Sequence, residues 1–320
     1  MGDGALRRWK NTYYMPGLDP NPARDLLKRL VCRRIPAFPR TVQIQTRTGC
    51  NGACVFCPYD ASHDAVPKGQ MDDAVFDRLV DEIARHRKTR RISPYLMNEP
   101  FLDRTLLDKA RRIKKRIPDA RVIVTTNAGV LHPEVVDDLV LDNPFRAVYI
   151  SMQGIEKEPY EDSMRGSLVF EKTLANVEHL IARRNEKAPK LKIVVTMIKT
   201  NKVDAEKAVA FWRERGVEAQ YTMLESRGGN NKSFRELLAG GKRVFRDCTR
   251  LFKHAYILFN GDMVLCCTDY YKTMVLGNVA ESSIHDVWNG PVAQKIRRDF
   301  LLGDLRDNPL CACCFIATPD

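Results

Sequence analysis

The sequence predicts an α/β fold, a parallel sheet flanked by helices, followed by a small cysteine-bearing unit. Three observations carry this prediction. Short apolar or alternating runs recur between longer amphipathic stretches over residues 41–225, the β/α alternation that builds a parallel sheet. Cys50, Cys54 and Cys57 stand just after the first such run. Beyond Glu225 the alternation stops, and a second set of cysteines begins at Cys248. A chain of 320 residues is long enough for one large core and a smaller one.

Residues 1–40 form an N-terminal arm rich in prolines and basic residues, with one short helical run at Asp25–Arg33. Cys32 lies on the apolar stripe of that run, where packing is commoner than ligation, and is given no role. Thr41-Val42-Gln43-Ile44-Gln45 alternates as a strand does, so the three cysteines fall on the loop at its C-terminal end. A helix begins near Asp72, capped by Asp72 or Asp73, with Val75, Leu79, Val80 and Ile83 as its apolar face. Strands are expected at Ile92–Leu96, Arg121–Thr125, Ala147–Ser151, Leu191–Met197 and Glu218–Met223. Helices are expected at Arg104–Arg116, Pro133–Leu141, Val169–Arg184 and Val203–Arg215. Residues 226–247, opening with Ser226-Arg227-Gly228-Gly229-Asn230-Asn231, read as a flexible polar bridge. The unit 248–320 then carries a hairpin, Tyr256–Phe259 and Met263–Cys266, joined at Asn260-Gly261 by a type I′ turn.

Composition narrows the function. Hydrophobic content of 44% and charged content of 29% suit a globular protein. No signal-peptide core occurs in Met1–Pro22 and no run of 18 apolar residues occurs anywhere, so a cytoplasmic protein without a membrane span is expected. Ten cysteines in that compartment point to metal or redox chemistry rather than disulfides. The net charge of +12 gathers at Arg85–Arg91, Arg111–Arg116 and Lys295–Arg298, each at the end of a helical pattern. These are read as solvated helix faces. No RNA-binding signature accompanies them, so a nucleic-acid partner is not expected, while a small substrate, including an acidic one, is.

Thiolates spaced as in Cys50-x3-Cys54-x2-Cys57 wrap around one face of a four-iron four-sulfur cluster and leave one iron without a protein ligand. Zinc is the alternative, and it would need a fourth ligand, for which His63 is the near candidate. The CxxxCxΦC order, with Phe56 before the last cysteine, resembles the radical S-adenosylmethionine (SAM) superfamily.

That resemblance implies a partial (β/α)6 barrel whose open iron chelates SAM and, once reduced, cleaves it to a 5′-deoxyadenosyl radical. It places SAM contacts at Phe56, at Glu99 of Met97-Asn98-Glu99-Pro100, at Asn127, at Ser151 and at Arg165, the last pairing with the SAM carboxylate. Many relatives carry Gly-Gly-Glu at the second strand, and here the glycines are absent. Cys248-x12-Gly261-x4-Cys266 and the later Cys311–Cys314 pair resemble the SPASM and twitch domains of such enzymes. They imply a second, fully ligated four-iron cluster on Cys248, Cys266, Cys311 and Cys314, with Cys267 and Cys313 as adjacent alternatives and structural zinc as the rival.

A fully ligated cluster serves most simply as an electron acceptor, and no G-x-G-x-x-G follows a strand to bind a nicotinamide. The layout resembles aminocyclitol dehydrogenases, implying oxidation of a hydroxyl on a sugar, aminocyclitol or nucleoside-type substrate, with flavodoxin or ferredoxin as electron donor. Arg227 and Glu225 are candidates, by position, to take the hydroxyl proton. The rivals are a redox-neutral epimerase, decarboxylase or dehydratase, in which Cys32, Cys267 or Cys313 returns a hydrogen atom, a peptide-maturing enzyme, and a cluster- or zinc-bearing nucleic-acid binder.

Overall fold

The structure is a computed structural model, and it describes residues 35–240, 242–245 and 248–318. The expected helix at Asp25–Arg33, with Cys32, lies outside these residues.

Six parallel strands alternate with helices, as expected. They are β1 (Thr41–Ile44), β2 (Arg91–Ser93), β3 (Arg121–Thr126), β4 (Ala147–Ser151), β5 (Lys192–Lys199) and β6 (Glu218–Met223). The helices α1 (Asp73–Arg85), α2 (Leu106–Arg116), α3 (Pro133–Leu141), α4 (Lys157–Met164), α5 (Phe170–Lys187) and α6 (Ala205–Glu214) run back between them. Asp72 caps α1 by accepting from the amides of Ala74 and Val75. Phe76, not the expected Val75, joins Leu79, Val80 and Ile83 on its buried face. Helix α4 was not anticipated, because Lys157–Met164 buries only Tyr160, Ser163 and Met164 and has no strong apolar period. Strand β2 stops at Ser93 rather than Leu96.

The C-terminal unit does not build a sheet of its own from its hairpin. Strand β8 (His254–Ile257) lies parallel to β1 in register, Thr41 opposite His254 and Ile44 opposite Ile257. Strands β9 (Asp262–Val264) and β10 (Val275–Asn278) follow antiparallel. Among the described residues nine strands thus form one sheet in the order β10-β9-β8-β1-β2-β3-β4-β5-β6. The hairpin turn differs from the type I′ expectation. Gly261 takes φ +88° while Asn260 keeps a negative φ, and the Gly261 amide donates to the carbonyl of Leu258. A Cβ at Gly261 would stand 2.7 Å from the Asn278 side chain, so position and conformation both require glycine.

The described part of the stretch after β6, expected as a bridge, is tied to a strand late in the chain. Strand β7 (Arg243–Phe245) pairs with β11 (Phe315–Ala317), and the Ser226 amide donates to the carbonyl of Phe315. The Ser226 hydroxyl donates to the carbonyl of Cys313 and accepts from the amide of Phe315, both at 2.7 Å. Helices α7 (Ile284–Asn289) and α8 (Pro291–Leu302) complete the unit. Glu82 of α1 accepts from the amides of Ile284 and His285 at 2.8 and 2.9 Å, capping α7 from across the interface.

Candidate active site

The C-terminal ends of the barrel strands carry the chemistry-bearing loops. The loop after β1 holds Cys50, Cys54 and Cys57, all partly buried. Its path is fixed by close backbone contacts. The Ala53 amide donates to the carbonyl of Arg165, and the Val55 amide to that of Ser163. A Cβ on Gly166 would meet the backbone of Asn51 and Ala53 at 2.8 Å, at φ +75°. Phe56 is buried in the main core and anchors the loop from below.

Burial pushes the Cys50 thiol up to about 12, with Glu99 and Cys57 adding to it. Burial, then Cys57 and Cys50, raises Cys54 as well. Buried thiols such as Cys50 and Cys54, which repel one another as anions, are stable as thiolates only around a cationic centre, which fits an iron–sulfur cluster.

Glu99 is almost fully buried and binds the mouth together. Its carboxylate accepts from the amide of Phe101, the hydroxyl of Thr126 and the amide of Asn127, at 3.1, 2.6 and 2.8 Å. Its own amide donates to the carbonyl of Gly49, next to the first cysteine. Burial pushes the carboxyl up to about 7 despite these donors. Asn127 donates to the side chain of Asn51 at 2.8 Å and approaches Cys50 Sγ at 3.9 Å. Ser151 ends β4 on the same side. Arg165 lies beside the cysteine loop. Its guanidinium bonds Asp162 at 3.3 Å and is half exposed, and its carbonyl is what meets the cysteine loop. Met97, Ala128 and Arg227, in the loops after β2, β3 and β6, all hold left-handed φ values of 52°, 59° and 51°. Such strain concentrates where side chains must be aimed.

Sequence reasoning did not anticipate Tyr270. This residue of the C-terminal unit reaches the first cysteine loop, its hydroxyl 3.5 Å from Cys57 Sγ and 3.4 Å from an Arg227 nitrogen. The only sequence signal was an aromatic shortly after a ligand-type cysteine. Burial works against the charge of Arg227, but Tyr270, Cys57 and Glu225 hold its pKa above the usual arginine value. Glu225 forms a two-pronged pair with Arg250 at 3.1 and 3.2 Å.

The second cysteine set packs against two apolar clusters. Cys248, Cys266 and Cys311 pack together against Leu251, Phe252, Leu265, Ile296, Phe300 and Leu310. Burial pushes Cys311 up to about 12, followed by Cys248 and Cys314. Cys267 packs instead with Tyr256, Leu258 and Leu96, its thiol within hydrogen-bond reach of that of Cys266. A hydrogen bond from Cys266 and the charge of Arg250 hold Cys267 below the usual thiol range. Cys313 is exposed.

A parallel barrel with three clustered thiols at its mouth and a second thiol pocket behind it defines a class of cluster-dependent enzymes. The radical SAM superfamily model matches residues 44–212, and the chain belongs to that superfamily. A second model, the SPASM iron–sulfur cluster-binding domain, matches residues 248–315. The chain is thus a radical SAM enzyme whose cofactors are SAM and iron–sulfur clusters. It is 22% identical over 273 residues to the S-adenosyl-L-methionine-dependent 2-deoxy-scyllo-inosamine dehydrogenase of Niallia circulans, covering 85% of this chain and 91% of that one. Its fold resembles BtrN in complex with AdoMet and 2-DOIA, with a TM-score of 0.60, 20% identity and 86% and 92% of the two chains covered. It also resembles Streptococcus suis SuiB bound to the precursor peptide SuiA, with a TM-score of 0.65, 16% identity and 92% and 77% covered. Among the described residues no helix is long and apolar enough to cross a membrane.

Proposed function

We propose that this enzyme oxidises a hydroxyl of a sugar, aminocyclitol or nucleoside-type substrate to a ketone, in cytoplasmic natural-product biosynthesis. In this reading Cys50, Cys54 and Cys57 hold the SAM-binding cluster, and Cys248, Cys266, Cys311 and Cys314 hold the auxiliary one. When bound, these groups supply a 5′-deoxyadenosyl radical that takes a hydrogen atom and a sink for one further electron.

The observation that carries the reading is the position of Arg227. It stands in the field of Cys57 from the first loop and of Cys267 beside Cys266 from the second. A charged guanidinium between the two thiol sites grips a hydroxyl oxygen and steadies negative charge as the proton leaves. With Arg227 held charged, Glu225 is the proton acceptor of the pair. The dehydrogenase name of the Niallia circulans relative supports a polyol-like substrate.

A second reading rests on Cys267. A thiol packed on Leu96, in the loop after β2, can return a hydrogen atom to a substrate radical, which would make the enzyme a redox-neutral epimerase. Mass spectrometry of the anaerobically reconstituted enzyme with SAM, reductant and candidate sugars, nucleosides and peptides separates the two. A substrate lighter by two hydrogens supports oxidation. An unchanged mass with solvent deuterium incorporated supports Cys267, and absence of 5′-deoxyadenosine sinks both.

A further inference from the structure

The opposite end of the barrel carries a row of cations that the active site does not use. Arg40, Arg90, Arg121 and Arg146 stand at or just before the first residues of β1, β2, β3 and β4, and all four are exposed. Backbone hydrogen bonds set them side by side. The Arg90 amide donates to the carbonyl of Arg40 at 2.8 Å, Arg121 to Arg90 at 3.3 Å, and Arg146 to Val122 at 2.8 Å. Neighbouring strands lie about 4.8 Å apart, so four guanidinium groups share one short rim. A groove of about 520 Å³ opens beside them, lined by Arg87, Arg90, Arg116 and Arg121, with Asp119 its one carboxylate.

Arginines on the helix faces are neutralised: Arg111 meets Asp138, Arg112 meets Asp77 and Arg183 meets Asp137. Among the described residues no such ion pair is formed by Arg40, Arg90, Arg121 or Arg146. Helix C-termini open on this face and explain cations within their last turns, such as Arg85 and Arg116. Arg90, Arg121 and Arg146 lie beyond those turns, past the reach of the helix dipole. One end of the row meets the second thiol pocket. The Arg40 amide donates to the carbonyl of Lys253, and Lys253 follows Leu251 and Phe252, which pack on Cys248, Cys266 and Cys311.

We infer that this rim is the docking surface for an acidic one-electron carrier protein of the flavodoxin type. The inference rests on the oxidative reading above. In that reading one electron enters for each SAM cleaved. The hydroxyl then gives up one hydrogen atom to the radical, one proton to Glu225 and one electron. That electron must leave before the next turnover. An oxidised flavin takes it with one proton from water and becomes a neutral semiquinone, which balances the cycle. A patch of positive charge that no described carboxylate pairs, next to the thiol pocket, steers an acidic carrier to the point of electron exit.

The test uses oxidised flavodoxin and the full chain with both clusters loaded under anaerobic conditions. Its affinity is measured by calorimetry at low and high salt, and flavin semiquinone formation is followed after mixing with pre-reduced enzyme. Arg90→Glu with Arg121→Glu is compared with Lys172→Glu and Arg235→Glu, an equal charge change at exposed sites elsewhere. A milder Arg90→Gln, Arg121→Gln pair guards against misfolding, with iron content as the check. The rim pair is expected to weaken binding and slow semiquinone formation by about tenfold or more at low salt, and the control pair by less than about twofold. Equal losses in both pairs, no loss in either, or no binding at all would overturn the inference. So would rim-dependent capture of a single-stranded oligonucleotide with flavodoxin unaffected. Because binding needs no substrate, its failure leaves the oxidation reading standing. Normal docking without a ketone product would indict the reaction instead.

Discussion

At Glu99, burial and hydrogen bonding pull in opposite directions. Three donors favour the carboxylate, yet desolvation wins and lifts the pKa from 4.5 to about 7. The folded chain therefore holds a proton that the unfolded chain releases between those values. The stability contributed here is full below about 4.5 and is lost as pH rises through about 7, by up to about 3 kcal/mol. Glu99→Gln removes that component. Urea unfolding at about pH 5 and about pH 8 should show a smaller stability loss in the variant than in the parent. An unchanged pH slope would mean that Glu99 is ionised throughout. Arg227 is tested through its chemistry. Arg227→Ala should lower ketone formation by about 10²-fold while 5′-deoxyadenosine release, assayed without substrate, stays within about twofold. Equal loss of both would place Arg227 in SAM handling instead.

Among elements, α1 and α7 are joined by one carboxylate. Glu82 supplies to α7 the cap that its own chain gives only in part through Ser283, whose hydroxyl accepts from the Asp286 amide. Glu82→Gln should cost about 1–2 kcal/mol and raise hydrogen exchange at Ile284 and His285 ahead of the rest of the fold. Uniform exchange across the chain would show that the contact is incidental. Element positions were legible wherever the pattern was local. The alternation at Thr41–Gln45, the Asp72 cap and the strand Glu218–Met223 all stand as the sequence indicates. Helix α4 escaped because its apolar face is too small to set a period. The anchoring of Ser226 and β7 escaped because their partners, Cys313 and β11, come late in the chain.

For the whole molecule, the two thiol sites divide the work, and removing one at a time shows it. Cys248→Ala should leave SAM cleavage present while abolishing the two-hydrogen mass loss of the substrate. Cys50→Ala should abolish both. Retained ketone formation in Cys248→Ala would favour a route that does not need the second site. The first thiol set was legible because three ligands lie within eight residues of sequence. The place of Tyr270 and the packing of Cys267 on Leu96 were not, since both follow from β8 pairing with β1, a contact that no local period encodes. That pairing also orders events during synthesis. Cys57 and Tyr270 are 213 residues apart, and β1 keeps one edge bare until β8 emerges from the ribosome. A nascent chain thus carries three thiols without their Tyr270 cover while the intervening strands are made, a state open to aggregation and oxidation. Iron delivery to the first loop belongs after β8 has been made and has closed the wall beside it.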